Sequence, residues 1–346
     1  MKAMILGDSG KEHALATALA RDPSVEKIYV LPGNSALALN AKVQLLSIDA
    51  SDARSIIHQA QDLKVDLVIL GHPTSMAAGI GDVLRGADLV VLGPSQAAAQ
   101  LGRDALFTTQ FLQQQSILDL TMPGIRQTTC YTVTALCDAS SFKVMGITGD
   151  YQFVRWRERD AFLAFDRDDF TDAPPMSVIK DLIQDRILRG FRQKGIIFNG
   201  MLSLKLQAWQ DQWGVRQIQT WPQARELQLA LPRISAAFGQ YFAAAATNLL
   251  APLDDFTVTE KVSAHLAVVV DQNILAKLYQ RYHQLEAEGI YLAFSGHKPE
   301  PAEHRSAGRM IDLVALGPSS EAAQQKLHQL FNEFYLESAT DASSLS

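Results

Sequence analysis

The chain opens on an apolar run, Ala3 to Leu6, that passes straight into Gly7-Asp8-Ser9-Gly10-Lys11-Glu12-His13 and then into the helical pattern of Ala14 to Leu19. A strand that feeds a helix through a glycine turn fits few architectures, because the helix must fold back over the sheet that the strand enters. At such a turn the glycines let backbone N–H groups approach a ligand, and the helix N-terminus favours an anion, most often a phosphate. The spacing Gly7-x-x-Gly10 differs from the dinucleotide fingerprint, so by itself it reads equally as a phosphate cradle or as a plain turn.

Strands alternate with helices up to about residue 103. Asp66 to Leu70 and Leu89 to Leu92 are short apolar runs of the kind that form parallel strands covered on both faces, and the stretch Ala53 to Leu63 is amphipathic. This alternation predicts a doubly wound α/β domain over residues 1–103. Ligands in such sheets sit beyond the carboxyl ends of the strands, so the turns at Gly7, Gly33, Gly71 and Gly93 are expected to share one rim.

Composition narrows the field by exclusion. With 346 residues, 47% of them hydrophobic, the chain can bury more than one core. A net charge of -6 leaves no basic footprint for nucleic acid. No apolar run approaches the roughly 18 residues that cross a bilayer. Met1-Lys2 leads directly into a strand, so no signal peptide is expected and the cytoplasm is the expected compartment. Cys130 and Cys137 read as two free thiols rather than zinc ligands.

Gly7 to Leu15 resembles the G-S-G-G-R-E-H-A-L opening of the glycinamide ribonucleotide synthetase (phosphoribosylamine-glycine ligase) family, with Asp8, Ser9 and Lys11 as departures. Val25 to Leu31 runs into Pro32-Gly33-Asn34, similar to the turn that ends the family's second strand, and Leu92 to Leu101 resembles its G-P-x-x-A-A-A-Q-L segment. The resemblance implies an ATP-grasp domain after the first domain, with magnesium and ATP held between two sheets beneath a lid. It also implies a C-terminal domain that helps bind phosphoribosylamine. On this basis the substrate-binding candidates are Gly7, Gly10, Lys11, Glu12, His13, Gly33 and Asn34, joined by Arg309 in a segment similar to the family's G-G-R-V-L. Lys11 keeps the positive charge of the family's arginine without its planar fork. His13 suits either a bond to a sugar phosphate or packing of the first helix, and Arg309 suits either a ligand or a carboxylate partner.

The middle of the chain departs from the resemblance. Thr129 to Ala139 leads almost at once into Ser141 to Gly146, similar to a strand that the family places beyond the lid. No lysine and glycine-rich lid loop stands between them, and no G-G-M-G segment appears over Asp160 to Met176. The resemblance resumes at Gly195 to Met201. Leu202, Leu204 and Leu206 alternate along a strand, Asp211-Gln212 is expected in the turn, and Val215 to Trp221 returns. Aligned from Leu231-Pro232-Arg233, the family's E-F-N-A-R places Gln217 and Gln219 at the metal-side glutamate and asparagine, and Trp221 at the arginine. A neutral amide cannot supply the charge that offsets desolvation of magnesium. Gly102-Arg103-Asp104-Ala105 replaces the family's S-K-x-F-A-K region, Pro73 replaces a glutamate, and Asp271 to Leu285 replaces a G-G-Y-P-G loop.

The expected architecture is therefore α/β throughout: the doubly wound domain, a truncated ATP-grasp-like domain over 104–255 lacking the lid, a small β-rich domain over 256–337, and a polar tail over 338–346. No metal site is expected at Gln217 and Gln219, and Mg-ATP is a cofactor of the family rather than an expectation for this chain. The expected function is that of a non-catalytic paralogue in purine biosynthesis, with a sugar phosphate as ligand or a protein as partner. The alternative is an active ligase that joins glycine to 5-phosphoribosylamine with ATP.

Overall fold

The first strand, β1 (Lys2–Gly7), is buried along its length, with Ala3, Met4, Ile5 and Leu6 fully excluded from water. The computed structural model that shows this describes residues 1–121, 129–149, 154–155, 162–165, 172–294 and 309–343. After β1 come α1 (Gly10–Ala20), β2 (Lys27–Pro32), β3 (Val43–Leu45), α2 (Ala53–Asp62), β4 (Leu67–Leu70) and β5 (Val91–Pro94). The strands lie in the order β3-β2-β1-β4-β5, every neighbouring pair parallel, which is the doubly wound sheet the alternation predicts. The two helices differ as their sequences do. In α2 only Ile56 and Ala60 are buried, and Asp52 caps the first turn by accepting from Ser55 N at 3.2 Å. In α1 the apolar residues run all the way round, because the helix packs not only on the sheet but also against the helix Ala224–Ala230 and the strand Ile290–Phe294.

The sheet does not stop at the expected domain boundary. The strand Phe198–Trp209 pairs antiparallel with β5, Asn199 opposite Gly93 and Phe198 opposite Pro94, and carries the strands Cys130–Cys137 and Phe142–Gly149 beyond it. Leu202, Leu204 and Leu206 share one buried face, as their alternation predicts. The hairpin turn falls one residue earlier than expected: Gln210 and Asp211 both have positive φ, and Trp209 faces Gln212. Two residues with positive φ between paired strands are the geometry of the primed hairpin turns.

Among the described residues three apolar cores form, with memberships that cross the expected boundaries. Leu227, Phe238, Phe242 and Phe256 pack into the core of the first domain, and Gly239 N donates to Asp22 there at 2.8 Å. The short strands Val154–Arg155 and Phe162–Phe165 add to the C-terminal sheet, Phe162–Phe165 pairing with Val262–Val270. The loop replacement at Asp271 to Leu285 is helical, Gln272–Gln280 followed by Tyr282–Ala287, with Asp271 accepting from two backbone N–H groups as cap. The last helix, Ser320–Ser343, continues through most of the stretch expected as a tail. Cys130 and Cys137 are free and buried, and burial pushes the Cys137 thiol well above its ordinary pKa. No helix among the described residues is long and apolar enough to cross a membrane.

Candidate functional site

The carboxyl ends of β1, β2 and β4 meet in one hydrogen-bonded rim. Gly33 N donates to Gly7 O at 3.2 Å, and Gly71 N and His72 N both donate to Leu6 O, at 2.9 and 3.0 Å. Gly93 closes the row where β5 meets Asn199.

Inside this rim sits a carboxylate rather than open space. Ser9 caps α1 and Glu12 answers it: Glu12 Oε2 accepts from Ser9 N at 2.7 Å and from Ser9 Oγ at 2.5 Å, a reciprocal capping box. Glu12 is 1% exposed, and its Oε1 has no hydrogen-bond partner among the described residues. It lies beneath both turns, so that a Cβ on Gly7 would come 2.6 Å from its Cδ and one on Gly71 would come 2.0 Å from Oε1. Gly7 also adopts φ +137, a value that side chains rarely take. These two glycines make room for Glu12.

His13 is fully buried. Burial pushes its pKa down to about 4, against a hydrogen bond to Asn34 and the attraction of Asp312, so the ring is uncharged at neutral pH. Asn34 also donates to Asp8 O at 3.3 Å. Of the two readings open for His13, the geometry supports packing of the first helix. Behind it lies a polar group drawn from distant segments: Gln228 Nε2 donates to Gly10 O at 3.5 Å and to Asp312 Oδ2 at 3.3 Å, and His265 Nε2 lies 3.0 Å from Asp312 Oδ1. This group ties the N-terminus of α1 to the C-terminal sheet. Gln228, His265 and Asp312 carry no local signature in the sequence, since their role exists only once residues some 200 apart are brought together.

Lys11 points the other way. Its Nζ donates to Gly71 O at 3.1 Å, and burial lowers its pKa while neighbouring Glu12 partly offsets this. Its chain lines a cavity of about 300 Å3 between the first domain and the hairpin, with Pro73, Met76, Arg103, Gln219 and Trp221 among the other walls. Gly102 fixes the far side: it has φ +84, and a Cβ there would meet Ile218 O at 1.8 Å, so the loop lies directly on the returning strand.

Gln217 and Gln219 fall on one face of that strand, as their spacing predicts, with buried Ile218 between them on the other. Gln217 is exposed and only Gln219 reaches the cavity. Ser203, directly opposite Gln219, hydrogen-bonds the Glu226 carboxylate. Glu226 caps Gln223 N at 3.0 Å, and burial raises its pKa. Among the described residues no three His, Cys, Asp or Glu side chains converge as a metal would require. Two neutral amides and an engaged capping glutamate do not suit magnesium holding a nucleotide. Arg309 opens the strand Arg309–Gly317 opposite Val270, and its side chain lies outside the described residues, as do parts of the segment from Asp160 to Met176.

Comparison with known proteins finds sequence similarity over the first part of the chain. Residues 1–102 match the family described as phosphoribosylglycinamide synthetase, N domain. Phosphoribosylamine-glycine ligase of Vibrio cholerae is 41% identical over 117 residues, and that of Escherichia coli K12 is 38% identical over the same length. Each match takes in 34% of this chain and 27% of the relative, little more than a quarter of its length. The fold extends further than the sequence similarity. Phosphoribosylamine-glycine ligase from Thermotoga maritima superposes with a TM-score of 0.65 at 13% identity, covering 96% of each chain. N5-carboxyaminoimidazole ribonucleotide synthetase, solved as an ADP complex, superposes with a TM-score of 0.58 at 13% identity, covering 97% of each.

Proposed function

We propose, for a chain whose first 102 residues match the family described as phosphoribosylglycinamide synthetase, N domain, that it is a phosphoribosylamine-glycine ligase-like protein that binds but does not ligate. The observation that carries this reading is the replacement of charge at the hairpin: Gln217 and Gln219 stand where the resemblance places metal-side residues, one exposed and one at the cavity wall. Magnesium needs anionic oxygens to offset its desolvation, and it is magnesium that neutralises the phosphates during phosphoryl transfer. The loop at Gly102-Arg103-Asp104 also lacks the lysine of the corresponding family segment. The scaffold around these positions is kept, from the glycine rim to the C-terminal sheet packed on α1. A protein with this scaffold and these substitutions retains a place for a small ligand or a protein partner and lacks the means to activate a carboxylate with ATP.

The test is turnover. The full chain is incubated with glycine, Mg-ATP and phosphoribosylamine generated in situ, and ADP release is followed against an intact ligase. The reading predicts no glycine-dependent ADP release above background. Sustained turnover that needs all three substrates would establish the ligase instead.

A further inference from the structure

We propose that the free edge of the strand Phe142–Gly149 is a docking site for an extended segment of another protein, which joins the large sheet as one more strand. The two edges of that sheet are built differently. At one edge β3 is three residues long, too short to give a foreign strand much to pair with. At the other edge the strand Phe142–Gly149 is eight residues long, and among the described residues its only ladder partner is the strand Cys130–Cys137. No backbone group of residues 144–148 is bonded elsewhere among the described residues. Most devices that blunt an edge are missing: the strand has no proline, and its one charge, Lys143, is held by Asp255 at 3.3 Å. A bulge is present, since Thr134 faces Gly146 and Ala135 faces Val144. It turns Met145 into the core of the first domain, which anchors the strand and leaves its edge uncovered.

A cavity of about 350 Å3 runs along this edge. All of residues 144–148 line it, although successive side chains of a strand point to opposite faces of the sheet. A space that touches every one of them lies beside the backbone and not on either face. Ala230 packs on the face instead, where a Cβ on Gly146 would come 3.2 Å from its own Cβ. The opposite wall, formed by Leu229, Ala230 and Val258, is apolar, and Val258 is 43% exposed. Arg233 is the single charged side chain of the lining among the described residues. Unpaired N–H and C=O groups along a strand edge are matched by another extended backbone, whereas a helix bonds its own groups internally and has none to offer. The occupant is therefore an extended segment with apolar side chains at alternate positions, for Leu229 and Val258, and a carboxylate to complement the charge of Arg233. The lined stretch is roughly 13 Å long at about 3.3 Å per residue, enough for about five residues of the partner. Its lining shares no residue with the cavity at the glycine rim, so the edge can be filled whether or not the chain turns over ATP.

The experiment is selection from a displayed library of random peptides, about seven residues long to cover the lined stretch, on the immobilised full chain. Enriched peptides are then resynthesised with a fluorescent label and their binding is followed by anisotropy. The expected peptides are apolar at alternate positions, carry Asp or Glu and have no proline at the centre. N-methylation of alternate amides along one edge of such a peptide should weaken binding about tenfold or more, and methylation along the other edge should leave it within about twofold, because only one edge meets the strand. Val258→Arg, which fills the groove from an exposed position, should weaken the same peptides about tenfold. Thermal unfolding checks that this variant folds, and the methylated peptides test the pairing without any variant. An absence of enriched peptides, equal binding after methylation of either edge, or indifference to Val258→Arg would overturn the proposal. So would a concentration-dependent dimer, seen by sedimentation and dissociated by Val258→Arg, since a second copy of the chain would then be the occupant.

Discussion

Gly71→Ala is the most incisive perturbation of the rim. A Cβ at this position would lie 2.0 Å from Glu12 Oε1 and 2.6 Å from both Cγ and Cδ. Glu12 cannot swing clear, because it is buried and its other oxygen holds Ser9 N at 2.7 Å. Overpacking of this kind costs about 1–3 kcal/mol. Glu12→Ala should cost about 1 kcal/mol through loss of the capping interaction, and it also removes the atoms that a new methyl would strike. In the Glu12→Ala background, Gly71→Ala should therefore cost no more than about 0.5 kcal/mol. The four proteins of this cycle are compared by urea unfolding, followed by far-UV circular dichroism. Additive losses in the double variant would refute the argument that the glycines exist to house Glu12, and would return the rim to the role of an open cradle.

Other expectations follow from the buried polar group. His13 titrates at about 4 in the folded chain, whereas an unfolded histidine titrates near 6.5. Above pH 6.5 both states hold a neutral ring. As the pH falls from 6.5 towards 4 the unfolded chain takes up a proton that the folded one does not, so stability is lost, by about 3 kcal/mol in all. His13→Gln should flatten that part of the profile of unfolding midpoint against pH, and an unchanged slope would contradict the assignment. Asp312→Asn should cost about 1–3 kcal/mol, because it weakens bonds to both His265 and Gln228 in a buried setting. Its effect should appear as easier proteolytic release of the C-terminal sheet, and wild-type resistance would show that the group does not hold the two parts together.

What was legible in the sequence is what short-range periodicity encodes. The alternation of apolar runs and amphipathic stretches up to residue 103 carries the parallel sheet, because the cores of β1, β2, β4 and β5 are buried on both faces. Ser9 and Glu12, three residues apart at the head of a helix, already spell a capping box, although the glycine turn invites the reading of a ligand cradle. The hairpin register was less clear, since Gln210-Asp211 lacks the glycine that usually marks such a turn. Least legible were features that depend on distant partners. Nothing in the residues around His13 announces Asp312, and nothing in Val154 to Phe165 announces that Phe162–Phe165 will pair with Val262–Val270. The convergence of Lys11, Arg103 and Trp221 on one cavity is likewise a product of the fold, though each was visible as a single substitution.

The central claim is the loss of the metal-nucleotide half-site, and equilibrium binding tests it without any need for turnover. The full chain is titrated with ATP by calorimetry, first in excess magnesium and then in EDTA. With Gln217 exposed and Gln219 neutral at the cavity wall, the account predicts no magnesium-dependent binding in the micromolar range. A saturating isotherm that appears with magnesium and vanishes with EDTA would contradict it.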